Sequence, residues 1–305
     1  MKPLEVFKEP ETGDAEARYQ SKKTNLFIIL CGIFLTNAIL AEIIGVKIFS
    51  GEYTLGLEPA GWTIFGDYVL DFNLTAGAVI WPIVFITTDI INEYYGKKGV
   101  RKISFITAFF IAYIFFVIVA VTNLPPAPFW LEVNSPDPAG QPFDIDYAFT
   151  VIFRQGLGII LGSLVAFLLG QLIDVYVFQK LRKFTGPKMI WLRATGSTLV
   201  SQFIDSFVVL VIAFYIFGNW SWAQVASVGI INYIYKFGVA VLLTPLLYVG
   251  HYLIDRYLGK DVAERMTAEA SEDTSFFIEL FSCFGLNPRS LLCSSDVYYW
   301  PAEAS

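Results

Sequence analysis

Long apolar runs separated by short polar, cation-bearing segments dominate this chain. Six stretches, approximately residues 26–46, 74–91, 103–122, 156–178, 196–217 and 226–250, meet the membrane-span criterion. A helix of roughly 20 apolar residues crosses about 30 Å of hydrocarbon. The first stretch is too long for the apolar core of a signal peptide and has no small-residue cleavage site after it, so it reads as a retained helix. The prediction is an all-α polytopic membrane protein with six transmembrane helices. It divides into an arm (1–25), a six-helix transmembrane transporter domain (26–255) and a tail (256–305). Residues 1–24 are polar and mixed in charge. In the tail, Phe276, Phe277, Leu280 and Phe284 are placed to rest on the membrane surface.

Charge sets the orientation. Of 21 Lys and Arg, 18 fall before the first stretch, between the second and third, between the fourth and fifth, or after the sixth. Cations mark the cytoplasmic side, so both termini are predicted inside. The remaining segments, 48–73 and 123–150, carry Glu52, Glu58, Asp71, Glu132 and Asp144 among aromatics and prolines. A Gly- and aromatic-rich segment of that length is able to form a hairpin over the outer mouth, or to be a plain solvated connector. Composition agrees: 55% hydrophobic and 16% charged residues, with a mean hydropathy of +0.58. Soluble domains carry about 25% charged residues. The net charge of −6 argues against a nucleic-acid partner. Three cysteines without C-x-x-C spacing indicate neither a disulfide framework nor a metal site, and no cofactor is called for.

Ionisable side chains inside a bilayer cost roughly 2.5–3.5 kcal/mol each on insertion scales, so they face a partner or a cavity. Lys236 lies about ten residues into the sixth stretch, with Asn232 one turn away on its face. Asp205 lies at nearly the same depth in the fifth, with Thr198, Ser201 and Gln202 beside it. Asn37 is near the middle of the first. These groups can converge at the midplane. The plain alternative is an Asp205–Lys236 ion pair that only holds two helices together. A second set lies nearer the cytoplasm: Thr87, Thr88, Asp89, Asn92 and Glu93, then Gln171 and Asp174. Here solvation of Asn92 and Glu93 at the interface is the simpler expectation. Gly158, Gly162, Ala166 and Gly170 form a small-residue stripe that invites close approach of another helix. Glu42 also lies off the lipid, and its spacing leaves open whether it pairs with Lys47. Pro82 and Pro245 should each kink or break a helix.

Carboxylates, side-chain amides and one lysine make a hydrogen-bonding set for a small, planar, polar ligand. Phe203, Tyr233, Tyr235 and Trp191 are available as stacking faces. The single histidine, His251, sits at a helix end. That argues against an intramembrane protease or a metal transporter, and the chain has no nucleotide-hydrolysis motif.

The chain resembles the queuosine precursor transporters, also called the vitamin uptake transporter family. The resemblance spans about 25–255. It is carried by Asn37, by PIVFITTDIINEYYGKKGVRK (Pro82 to Lys102) and by LLGQLIDVYVFQKLR (Leu168 to Arg182). STLVSQFIDSFVVLVIAF (Ser197 to Phe214) and INYIYKFGVAVLLTPL (Ile231 to Leu246) complete it. It implies a six-helix carrier, not an enzyme, that imports 7-deazaguanine bases across the inner membrane without an ATPase subunit. It places Asp89, Gln171, Asp174, Asp205 and Lys236 in the substrate path. Together with Asn37, Gln202 and Asn232 from the residue reading, these are the candidate substrate-binding positions, with Asp205 or Asp174 gripping the donor edge of the base. The acidic outer segments would favour a base bearing an aminomethyl cation. A membrane subunit that needs a separate ATPase module is the alternative. A homodimer remains an open question.

Overall fold

The computed structural model describes residues 12–63, 69–154, 156–185 and 189–272. The surface aromatics expected at 276–284 lie outside these residues. In chain order the elements are α1 (Thr12–Ile44), β1 (Ile48–Ser50), α2 (Gly51–Thr54), β2 (Trp62–Thr63), β3 (Val69–Leu70) and β4 (Asn73–Thr75). A 3-10 turn (Ala76–Val79) leads to α3 (Trp81–Val121), α4 (Pro128–Val133), α5 (Ile145–Phe153), α6 (Leu157–Thr185) and α7 (Ile190–Leu210). A π-helical turn (Val211–Ile216), α8 (Trp222–Leu258) and α9 (Lys260–Glu272) complete the chain.

Five helical segments are long and apolar enough to cross a membrane: those containing α1, α3, α6, α7 and α8. Ile28, Phe105, Phe109, Phe116 and Leu242 are largely exposed on them, a surface suited to acyl chains rather than water. The second and third apolar stretches both lie in α3, and the cationic segment Lys97–Lys102 expected as a loop is helical. The break between the two limbs is one residue, Gly96, at φ 63 and ψ −163. A side chain is disfavoured there by the positive φ and by space, since a Cβ would lie 2.9 Å from the Ala270 carbonyl oxygen of α9. The start of the second stretch also differs. Residues 73–75 are a strand, and Pro82 stands in the first turn of α3, where its missing N–H costs nothing. It therefore does not break the helix. Pro245 is likewise accommodated inside a continuous α8.

The small-residue stripe works as its spacing predicts. α6 packs most extensively on α7, and a Cβ on Gly162 would meet the backbone at Val209 and Ala213 at 3.1 and 3.3 Å. Segment 48–73 is pinned as two small antiparallel ladders, β1 with β4 and β2 with β3. Glu52 is the pin: its carboxylate accepts from the Phe72 N–H at 2.6 Å and from the Ser50 hydroxyl at 3.0 Å.

Residues 12–24, expected as an arm, extend α1 by several turns. They are clamped to α9, whose Met266 is fully buried. Arg265 bonds Glu16 at 2.7 Å and lies 3.8 Å over the Tyr19 ring, while Lys23 meets Glu269 at 2.6 Å. The first part of the expected tail is thus a packed element, closing the end of the bundle where α3 bends.

Candidate functional site

One cleft enters the bundle between α3, α6, α7 and α8. It is lined by Trp81, Phe85 and Thr88 from α3, and by Phe167, Gly170, Gln171 and Asp174 from α6. Thr198, Ser201, Gln202 and Asp205 come from α7 and Lys236 from α8. On each helix the contributors recur three or four residues apart, which puts them on a single face. Its empty space is about 430 Å³ counted out to the mouth.

One wall is aromatic and the other polar. The Trp81 and Phe85 rings stack at 5.9 Å and 18°, and Phe167 lies 6.1 Å from Trp81. Opposite, Lys236 donates to Asp205 at 2.5 Å, Ser201 donates to Asp174 Oδ1 at 3.2 Å, and Thr88 donates to Gln171 Oε1 at 3.3 Å. Two acceptors remain open. Asp174 Oδ2 and Gln202 Oε1 are buried without a hydrogen-bond partner. The Ser197 and Thr198 hydroxyls approach Asp174 as well, but neither forms an aligned hydrogen bond to Oδ2. A buried acceptor without a donor costs roughly 1–3 kcal/mol, so this pair of atoms is matched to a ligand that brings N–H groups.

Five candidate positions line the cleft together: Gln171, Asp174, Gln202, Asp205 and Lys236. Three do not. Asn37 turns its amide back to the Ile33 carbonyl at 2.7 Å. Asn232 on α8 and Asp89 on α3 are outside the lining, and Asp89 is buried. The stacking faces also differ from expectation. Phe203 and Trp191 are half exposed on the outer surface, and Trp81, Phe85 and Phe167 supply the rings instead. The i, i+4 spacing of Trp81 and Phe85 in α3 was visible in the sequence, but nothing there distinguishes a cleft-facing ring from a lipid-facing one.

The inner set is drier than its position at the end of an apolar stretch suggests. Asn92 and Glu93 are buried, not solvated, and so are Arg182 and Arg193, which the sequence assigns to a solvated inner loop. Arg193 Nη2 lies 2.6 Å and Arg182 Nη2 3.5 Å from the same Glu93 oxygen. Gln179 donates to Asn92 Oδ1 at 2.7 Å, and Arg182 donates to the Thr267 carbonyl of α9 at 2.7 Å. This network ties α3, α6, α7 and α9 together on the side of the cleft toward the bend in α3. Glu42 accepts from Ser163 at 2.6 Å, which resolves its role as a tie from α1 to α6. His251 Nδ1 lies 3.2 Å from the Tyr94 hydroxyl, which in turn donates to Asp255 at 2.6 Å.

Residues 75–250 match the family described as "Putative vitamin uptake transporter". The chain is 32% identical over 186 residues to a "Probable queuosine precursor transporter" of Bacillus subtilis (strain 168), covering 60% of this chain and 75% of that one. A protein of the same name from Haemophilus influenzae is 29% identical over 226 residues, 71% of this chain and 83% of its own length. The "Queuosine precursor transporter" of Escherichia coli (strain K12) is 27% identical over 187 residues, 59% and 73% of the two chains. No solved structure matches.

Proposed function

The chain belongs to the vitamin uptake transporter family, and from that premise we propose that it imports queuosine precursor bases, 7-cyano- or 7-aminomethyl-7-deazaguanine, across the inner membrane. The observation that carries the reading is the pair of open acceptors, Asp174 Oδ2 and Gln202 Oε1, in a cleft with an aromatic wall. A guanine-type edge presents adjacent N–H donors, which one carboxylate accepts together, and a planar ring stacks on Trp81, Phe85 or Phe167. Asp174 is the better grip of the two carboxylates proposed from sequence. Asp205 is already engaged by Lys236, which in turn is placed to donate toward a ring carbonyl once that pair loosens. Entry and release would take place by alternating access around this cleft.

In this reading the two limbs of α3 are separate crossings, six in all, and the cation distribution favours both termini in the cytoplasm. In that orientation the Glu93–Arg182–Arg193 network and α9 close the inner side, and the acidic 48–73 hairpin faces outward, favouring an aminomethyl cation by long-range attraction. The protein performs transport and no bond chemistry in this reading.

The test is uptake of labelled base in cells lacking their own precursor synthesis and any partner ATPase module, read as modified tRNA. Wild type should restore the modification and Asp174→Asn should not, at equal membrane abundance. Uptake only when an ATPase module is supplied would replace the carrier reading with that of a module-dependent subunit.

A further inference from the structure

Behind the cleft, Asp89 is 7% exposed and Asp174 5%. Asp89 Oδ1 and Asp174 Oδ2 each lack a hydrogen-bond partner. The Thr88–Gln171 and Asn92–Gln179 bonds lay this stretch of α3 against this stretch of α6, which brings the two carboxyls and Glu93 into one buried layer. The nearby guanidiniums of Arg182 and Arg193 both converge on Glu93, and Lys236 is held by Asp205. Three carboxylates on this side of the cleft therefore meet two cations, and both cations sit on the same one. Two adjacent carboxylates in a dry interior cannot both carry full charge. We propose that Asp89 and Asp174 hold a single proton between them, and that this proton crosses the membrane together with the substrate.

The two positions are not equivalent, and that gives the coupling. Asp174 lines the cleft; Asp89 does not. A base that donates N–H groups to Asp174 requires it ionised, which moves the shared proton to Asp89. A proton on Asp89 removes the neighbouring negative charge and so strengthens the acceptor at Asp174. Base and proton thus favour each other's binding, and the effect is reciprocal. The titratable and charged groups facing this region are Glu93 and Tyr94 on α3, and Asp174 and Arg182 on α6. Arg193 and Asp205 come from α7, and Lys236, His251 and Asp255 come from α8. From α1, Lys23 lies against Tyr95 of α3 and pairs with Glu269 of α9.

The coupling rests on the transport reading above, so its test separates the two. The full chain is reconstituted in sodium-free vesicles with the membrane potential clamped at zero, and labelled 7-cyano-7-deazaguanine, an uncharged probe, is followed. With one proton per base, an inside-alkaline gradient should give about tenfold accumulation per pH unit. A protonophore should abolish the accumulation. Asp89→Asn, which mimics the protonated state in shape, should bring the accumulation ratio to simple equilibration while labelled base still exchanges across the membrane. Accumulation that follows a sodium gradient, or that persists in Asp89→Asn, overturns the proposal. Absence of any exchange in wild type sinks the substrate reading instead. The proton itself is then read without substrate, as the infrared C=O band of a buried protonated carboxyl. That band should be present in wild type at neutral pH and lost in Asp89→Asn; its absence from wild type overturns the proposal.

Discussion

Replacing Glu93 with glutamine keeps the size of the side chain and removes one buried charge. The consequence follows from who shares that charge. Arg193 is wholly buried and sits 2.6 Å from the carboxylate, with Arg182 3.5 Å from the same oxygen. Glu93→Gln therefore strands two guanidiniums in the interior. Removing one partner of a buried pair costs about 3–5 kcal/mol, and with two cations left the loss should fall at the upper end. At about 1.4 kcal/mol per tenfold, that lowers the folded-to-unfolded ratio by two to three and a half decades. Arg193→Met should cost less, because Glu93 keeps Arg182 and the Phe178 ring, which now faces the Arg193 guanidinium at 5.7 Å, gains an apolar neighbour. The double variant should recover part of the loss. The assay is equilibrium unfolding in mixed micelles, followed by circular dichroism and analysed as a double-variant cycle. A Glu93→Gln loss below about 0.5 kcal/mol, typical of a solvated surface site, would refute the reasoning. So would a double variant worse than the sum of the singles.

Three further outcomes are expected. Gly162→Leu should destabilise by about 1–3 kcal/mol by overpacking, since its Cβ would press on backbone of α7 and the π turn; the folded fraction after detergent extraction measures it. Trp81→Ala should weaken base binding by about 1–3 kcal/mol, the usual worth of stacking one base on a ring, with no change in fold by circular dichroism. The N–H of Phe72 and its neighbours hold the Glu52 carboxyl below the ordinary glutamate range. A carboxyl lowered in the folded state lends stability above its unfolded value of about 4.5 that fades as pH falls through the lower folded value. The β1–β4 ladder should therefore open in acid, seen as faster Phe72 amide exchange after correction for intrinsic rate, and Glu52→Gln should remove that pH dependence.

The apolar stretches and the candidates Gln171, Asp174, Gln202, Asp205 and Lys236 were legible because burying polar groups among apolar residues is expensive enough to mark them, but the sequence split these five into a midplane set and an inner set that the structure joins in one cleft. The Gly158 to Gly170 stripe was legible for a similar reason: small residues at one-turn spacing have one obvious use. What was not legible turned on direction and on partners distant in sequence. Asn37 and Asn232 share the depth of the cleft, but depth does not fix azimuth, and Asn37 satisfies itself on Ile33. Arg182 and Arg193 look like loop cations until Glu93, 100 residues from Arg193, is brought against them. The bend at Gly96 depends on α9 lying beside it, a tertiary fact that local spacing does not carry.

The most direct test is equilibrium binding of labelled 7-cyano-7-deazaguanine to the purified full chain and to its Asp174→Asn variant. A saturable single site is expected, weakened about tenfold to a hundredfold in Asp174→Asn. That corresponds to one charge-assisted hydrogen bond, about 1.5–3 kcal/mol. Equal affinity in the two proteins would show that the base does not rest on Asp174, and the site assignment would fall.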